Sequence, residues 1–361
     1  MLSLIAFFIV LSILVLVHEF GHFITAKRLG IRVEKFSFGF GPKLLSIKRG
    51  DTEYMISAIP LGGYVKMAGD EPWEKLSGQK WEFLSRSIGD RFKVIFAGPL
   101  LNYLLAFVIF SVIYMFGSPT MTTEVGGLVK DFPAIQQGML VGDKVIAIDG
   151  KAVKYWEDMT GTIFKHTEGA MIVTIERSGK TFDKTIMPKV RTTKDIFGNE
   201  VKIAQIGVVP SQKIESVKYG FLESIYMGGK KLLNLTTTTY KALWSIVTGR
   251  LSMKDSLTGP IGIAAMAGMV AKLGLIYLLD FIGILSASLA MFNILPFPIL
   301  DGGHILFLAL EKIRRKPLSL KAQEAIANVG VTLLIMLTVF IFYSDIVKFG
   351  IFDKVIKIFK H

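Results

Sequence analysis

No cysteine occurs among the 361 residues. Disulfides and thiolate metal ligands are therefore excluded, and any metal must be held by histidine and carboxylate. Acidic residues are outnumbered: 29 Asp and Glu stand against 42 Lys and Arg, for a formal net charge of +13. No basic cluster falls on a nucleic-acid-binding motif, so nucleic acid is not an expected partner. The surplus is read instead as basic residues that flank membrane spans and face anionic lipid. No Lys or Arg precedes the first apolar run, Met1 to Val17, which continues directly into His18-Glu19-Phe20-Gly21-His22. A secretory leader would open with positive charge and close on small residues, so this run is read as a retained span.

Apolar residues, by contrast, are abundant: 51% of the chain, with a mean hydropathy of +0.50. They come in blocks, the pattern of a membrane protein. Four stretches approach or exceed the length needed to cross ~30 Å of hydrocarbon: Leu2–Ala26, Phe92–Phe116, Gly274–Leu310 and Val329–Val347. The third is overlong and interrupted by Pro296 and Pro298. It reads as one kinked helix or as a helix followed by a re-entrant turn. Lys27, Arg28, Arg32 and Lys35 follow the first span; Arg86, Arg91 and Lys93 lead into the second. Lys312, Arg314, Arg315, Lys316 and Lys321 lie between the last two. Basic short loops stay in the cytoplasm, which places the N-terminus, residues 117–272 and the C-terminus outside.

The outside region begins as a β-rich domain. Gly126–Val129, Lys144–Ile148 and Met171–Ile175 read as strands, with turn signals at Asp149-Gly150 and Ser178-Gly179. The stretch Pro133–Asp143, followed by Ile148-Asp149-Gly150, resembles the PDZ fold, in one copy over 124–190. Residues 216–248 show helical apolar spacing mixed with Lys and Thr. They read as an amphipathic helix on the membrane or as a soluble helix packed on that domain. On the cytoplasmic side, Lys43–Ile56 reads as a hairpin turning at Gly50-Asp51. Isolated hairpins are weak, so it is expected to lean on the membrane domain.

The chemistry concentrates at His18, Glu19 and His22. On a helix, i and i+4 share a face, so both imidazoles can bind one Zn²⁺, and the adjacent Glu19 can take a proton from the attacking water. An ionisable side chain costs about 2.5–3.5 kcal/mol in mid-span, and a metal in a hydrated cavity would offset it. A third ligand is required. His166 falls in the outside domain, His361 is terminal, and His304 is read as structural. The best candidate is Asp301, in Asn293-Ile294-Leu295-Pro296-Phe297-Pro298-Ile299-Leu300-Asp301-Gly302, with a contact to a ligand as the alternative role. Spans one and three both run inward, with these residues late in each, so the three meet at one depth. Pro296 and Pro298 free carbonyls that are tolerated in a membrane only when buried in protein or lining water. Asn293 is read as a donor to substrate or oxyanion or as a helix–helix hydrogen bond.

HExxH in the first span with NxxPxPxxDG in a later one resembles the site-2 protease family of intramembrane zinc metalloproteases, and most closely the bacterial regulator-of-sigma-E protease (RseP) type. Gly39-Phe40-Gly41-Pro42, Pro60–Val65, Ala97-Gly98-Pro99-Leu100-Leu101-Asn102 and Thr258–Ile263 extend the resemblance over nearly the whole chain. It implies a polytopic α-helical protein of the bacterial inner membrane, with about four transmembrane helices, a membrane-associated β-hairpin and one extracytoplasmic PDZ-like domain. The expected divisions are 1–116, 124–190, 191–272 and 273–361. The resemblance further implies Zn²⁺ on His18, His22 and Asp301, and Glu19 as catalytic base. Asn293, Gly39 and Gly41 are implied at the substrate, with Gly98, Asn102, Pro296 and Pro298 as structural motif residues. It implies single-pass membrane substrates, such as anti-sigma factors and remnant signal peptides, cut after an upstream site-1 type protease. The PDZ-like domain would filter substrates by size, and the 39–67 element would pair with an unwound substrate strand. Two rivals remain: an ion transporter, which the lack of an inverted repeat disfavours, and a tethered adaptor that binds without cutting.

Overall fold

Both N-terminal apolar runs fold as single long helices, α1 (Leu2–Arg28) and α2 (Ile88–Phe116), because a helix satisfies its own backbone where water is absent. α1 stops where Gly30 adopts φ +71° and the amides of Gly30 and Ile31 bond back to Lys27 and Ala26, a glycine C-terminal cap. Between them run β1 (Val33–Arg49) and β2 (Thr52–Met67). The computed structural model describes residues 2–71 and 76–350; the C-terminus, expected outside, falls beyond the described residues.

After α2 come β3 (Ser118–Met121), β4 (Val125–Leu128), α3 (Pro133–Gln136), β5 (Lys144–Ile148), β6 (Lys151–Ala152) and α4 (Trp156–Lys165). Next are β7 (Met171–Arg177), β8 (Lys180–Ile186), β9 (Lys189–Lys194), β10 (Glu200–Gln205), β11 (Val208–Pro210) and β12 (Ile214–Val217). The chain closes with α5 (Phe221–Val247), α6 (Met253–Ser256), α7 (Pro260–Leu273), α8 (Leu275–Ile294), α9 (Asp301–Arg314) and α10 (Leu320–Lys348).

Two compact units result. The first joins the chain up to Ile113 with Ile225–Tyr240 and the part from Ser252 on; the second is Tyr114–Ser224 with Lys241–Leu251.

In the first unit, Ala6, Val10 and Leu14 of α1 pack with Ala106, Ile109 and Phe110 of α2, Leu232 of α5, Ala267 of α7, and Phe281, Ala287 and Met291 of α8. A second cluster, Phe23, Ala26, Ile31, Val33, Phe83 and Val94, joins the end of α1 to the start of β1 and α2. The expected hairpin is present, since Arg49 pairs with Thr52 and Lys43 with Ser57. It belongs to a larger sheet, because Phe36 pairs with both Val65 and Tyr54. Both strands bend, and Gly39 (φ +93°) and Gly41 (φ +83°) lie at the bend of β1. A side chain at Gly39 would sit 2.9 Å from the carbonyl oxygens of Ser57 and Ile59.

The overlong third stretch is two helices and a turn. α8 stops because Pro296 and Pro298 lack the N–H a helix needs, and α9 restarts at Asp301. Among the described residues, five segments are long and apolar enough to span, one more than the four read from sequence: α1, α2, Met253–Leu273, α8 and α10. The extra one is broken between α6 and α7, and α7 alone is ~21 Å long, short of the ~30 Å core. Within α5, residues 225–240 pack along α2: a side chain at Gly228 would meet Ser111 Oγ at 2.4 Å, and Tyr103 Oη bonds Thr236 Oγ1 at 2.9 Å.

The second unit is built on an antiparallel sheet ordered β6-β5-β7-β8. Asp149-Gly150 and Ser178-Gly179 each have two positive φ values, the type I′ geometry that matches strand twist. Its core includes Ile206, and β11 pairs with β4, so the compact unit runs past Val190. Burial opposes ionisation of Asp143. The bidentate Arg177 guanidinium (2.6 and 2.8 Å) and the Leu140 amide outweigh it and hold that carboxyl below its usual range.

Candidate metal centre and active site

His18 and His22 lie one turn apart on α1, with ring centroids 4.8 Å apart. Their Nε2 atoms are 3.2 Å from each other. Asp301, the first residue of α9, completes the group: Oδ2 is 3.1 Å from His18 Nε2, and Oδ1 is 3.6 Å from His22 Nε2. Ligands ~2.0–2.1 Å from a tetrahedral ion stand roughly 3.3–3.4 Å apart, so the three separations fit one zinc ion. No other group of three or more His, Asp or Glu residues among the described residues has this arrangement.

One face of α2 holds the histidines. Val94 O accepts from His22 Nδ1 at 2.8 Å, which leaves Nε2 free for metal. Asn102 Nδ2 lies 3.4 Å from His18 Nδ1, while its Oδ1 is buried without a partner. A half-turn of the amide brings that oxygen to His18 as acceptor for the ring N–H. Gly98 lies between these positions. A side chain there would come within 2.3 Å of His22 Nε2 and 2.9 Å of His18 Cε1. Gly21 does the same for the helix pair, since a Cβ would meet Ala97 O at 2.3 Å. As α1 advances from His18 to His22, its α2 partners step back from Asn102 to Val94, so the helices are antiparallel.

Gly283 meets Phe110 while Ser286 meets Asn102, so α8 is antiparallel to α2 and thus parallel to α1, and Asn293 Nδ2 is 3.4 Å from His18 Nε2. Asn293 therefore faces the side of the ring that turns to Asp301. The turn between α8 and α9 keeps its backbone bonded without the helical ladder: Phe297 N donates to Leu295 O and Leu300 N to Phe297 O. Gly302 and Gly303 let α9 close on it, as each would carry a Cβ 2.2 Å from a turn carbonyl. Pro298 packs against Gly330 of α10.

Glu19 accepts from the Val65 amide of β2, and Gly63 lies alongside, its Cβ position 3.5 Å from Glu19 Cγ. The structure thus brings His18, Glu19, His22, Gly98, Asn102, Asn293 and Asp301 together. Gly39 and Gly41 pack instead against Ser57 and Ile59 of β2. Sequence reasoning did not find the Val94 carbonyl, the Val65 amide, or Ser286, whose hydroxyl donates to Asn102 O at 2.7 Å. Backbone groups leave no mark in a sequence. The 94/98/102 spacing on α2 is the one signal that was available.

The profile of peptidase family M50 matches residues 6–337. A relative from Rhizobium meliloti (strain 1021), named as a zinc metalloprotease, is 35% identical over 94% of this chain and 95% of its own. A second from Rickettsia conorii (strain ATCC VR-613 / Malish 7), named likewise, is 34% identical over 96% and 99%. The zinc metalloprotease RasP of Geobacillus kaustophilus (strain HTA426) is 31% identical over 96% and 98%. This chain belongs to peptidase family M50, the site-2 protease family of zinc metalloproteases.

Proposed function

We propose that this zinc metalloprotease cuts single-pass transmembrane segments inside the bilayer, with His18, His22 and Asp301 as zinc ligands and Glu19 as catalytic base. The observation that carries the reading is the convergence of two imidazoles and a carboxylate at 3.1–3.6 Å beside Glu19 on a span. Zinc, when bound, supplies a Lewis acid that lowers the pKa of water and polarises a carbonyl. Glu19 takes one proton from the attacking water as its oxygen bonds the peptide carbon. The C–N bond then breaks, and Glu19 returns the proton to the leaving nitrogen. Asn293 donates to the oxyanion.

A helical substrate hides its peptide bonds. The β2 segment Gly63–Val65, next to Glu19, is suited to hold an unwound substrate by strand pairing. The bends at Gly39 and Gly41 shape that sheet. The second unit, with one PDZ-like core, is proposed to lie outside and to admit substrates already trimmed by a site-1 type protease. Anti-sigma factors and remnant signal peptides fit that description.

Orientation follows from the basic loops and from α7, which at ~21 Å is too short to cross. Gly259 and Gly262, at its start, meet Asp345 at the end of α10, and Gly268 meets Ser3 at the start of α1. α7 therefore serves as a re-entrant element, and four helices cross.

The deciding experiment incubates purified protein with a single-span reporter in detergent. Wild type should cleave it. Glu19→Gln should keep stoichiometric zinc and lose about 10²–10⁴-fold in rate, and His22→Ala or a chelator should remove both metal and activity. Cleavage by Glu19→Gln at the wild-type rate would refute the assignment.

A further inference from the structure

Arg91 and Glu311 form an ion pair within the first unit. Nη2 and Oε1 are 2.5 Å apart, with side chains 10% and 18% exposed. Among the described residues, Arg91 Nε is buried without a partner and Glu311 is the carboxylate that compensates this charge. Neither residue is explained by the chemistry above.

Their places in the fold are informative. Arg91, Val94, Gly98 and Asn102 are all buried on α2, at spacings that put them on one face. Three of them hold or seat the histidines. The fourth grips α9 through Glu311, ten residues beyond Asp301, or ~15 Å along the helix. Few other features tie α9 down: its buried residues are Gly302, Gly303 and Leu308, and Leu300 supplies no side-chain cap. A buried ion pair contributes little net stability over apolar packing, yet leaving one partner alone is costly. Its specific effect is to fix a distance.

We infer that Arg91–Glu311 is a positioning pair that sets Asp301 at ligand distance from His18 and His22. One face of α2 thereby holds all three ligands in register, two directly and the third through α9. The inference rests on the metal-centre reading. Without the Glu311 carboxylate, α9 shifts to let water reach Arg91, and Asp301 is drawn off the histidines.

The test uses full-length protein as wild type, Glu311→Gln, Asp301→Ala and the swapped double variant Arg91→Glu/Glu311→Arg. Zinc release to a competing chelator and the visible spectrum of the cobalt(II)-loaded protein are read for each. Glu311→Gln should release zinc roughly 10–100-fold faster, the range for a lost ligand-orienting partner, and its cobalt spectrum should move toward that of Asp301→Ala. The double variant should restore both readouts toward wild type. Wild-type release and spectrum in Glu311→Gln would overturn the inference even if that variant melts lower. So would a double variant no better than the single one, folded or not. A wild type that binds no zinc would overturn the metal-centre reading and this role with it.

Discussion

Gly98 shows how little space the proposed metal centre leaves. Any side chain there enters the volume of both histidine rings, and the interior has no slack to absorb it. Gly98→Ala should fold, because alanine suits a helix, yet should bind zinc at least about tenfold more weakly. Equilibrium dialysis against a metal buffer reads this, and unchanged affinity would show that the rings move freely. Glu82 is a second single-residue case, outside the spans. Hydrogen bonds from the Ser77 hydroxyl and amide, and from Ser85 and Gln79, hold its carboxyl at about 2, against an ordinary 4.5. A depressed folded-state pKa adds stability above about pH 4.5 that is lost as pH falls toward 2. Glu82→Gln should therefore melt below wild type at pH 7, with the gap narrowing below about pH 4.5 and closing only as pH falls to about 2. A gap independent of pH would mean the ionised form is not what the loop binds.

At the level of elements, the segment Thr258–Ile263 gains its meaning from a distant partner. Asp345 of α10 is fully buried and accepts from Gly259 N at 3.0 Å and Gly262 N at 2.9 Å. A carboxylate here satisfies two orphan donors at the start of α7 and complements its dipole. Ser344 Oγ to Lys254 O and Lys348 Nζ to Leu257 O add to the same junction. α10 is otherwise largely exposed on the described surface, as expected for a lipid-facing helix. Asp345→Ala leaves both donors buried and unpaired, at roughly 1–3 kcal/mol each. Thermal melting in detergent should fall by several degrees while zinc content stays constant. A loss of zinc would mean that this junction also supports the metal centre.

For the whole molecule, the absence of cysteine becomes an experimental advantage. Single cysteines at Lys151, Lys48 and Lys316 report on the second unit, the β1–β2 sheet and the α9–α10 loop. The proposed orientation has Lys151→Cys labelled by an impermeant maleimide in intact spheroplasts, with the other two labelled only after lysis. Labelling of Lys316→Cys from outside would make α7 a true span and reverse everything after it. The antiparallel pairing of α2 with α1, and the parallel course of α8, tie this topology to the site. A reversed α8 would carry Asn293 away from His18.

Much of this protein is written locally in its sequence. The long apolar helices follow from apolar length, the I′ turns from Asp-Gly and Ser-Gly, the His18–His22 pairing from helical period, and the end of α8 from two prolines. Each depends on residues within a few positions of one another, where covalent geometry and backbone hydrogen bonding decide the outcome. Asp301 was legible because a carboxylate in an apolar run demands an explanation. Tertiary structure decided the rest. It folded the hairpin into a larger sheet, carried the second unit's core past Val190, packed α5 along α2, and broke Met253–Leu273 into α6 and α7. It also set Val94, Gly98 and Asn102 around the histidines and paired Arg91 with Glu311 across 220 residues. Those contacts join atoms far apart in the chain, often through backbone groups that every residue possesses. Only the packed fold determines which of them meet.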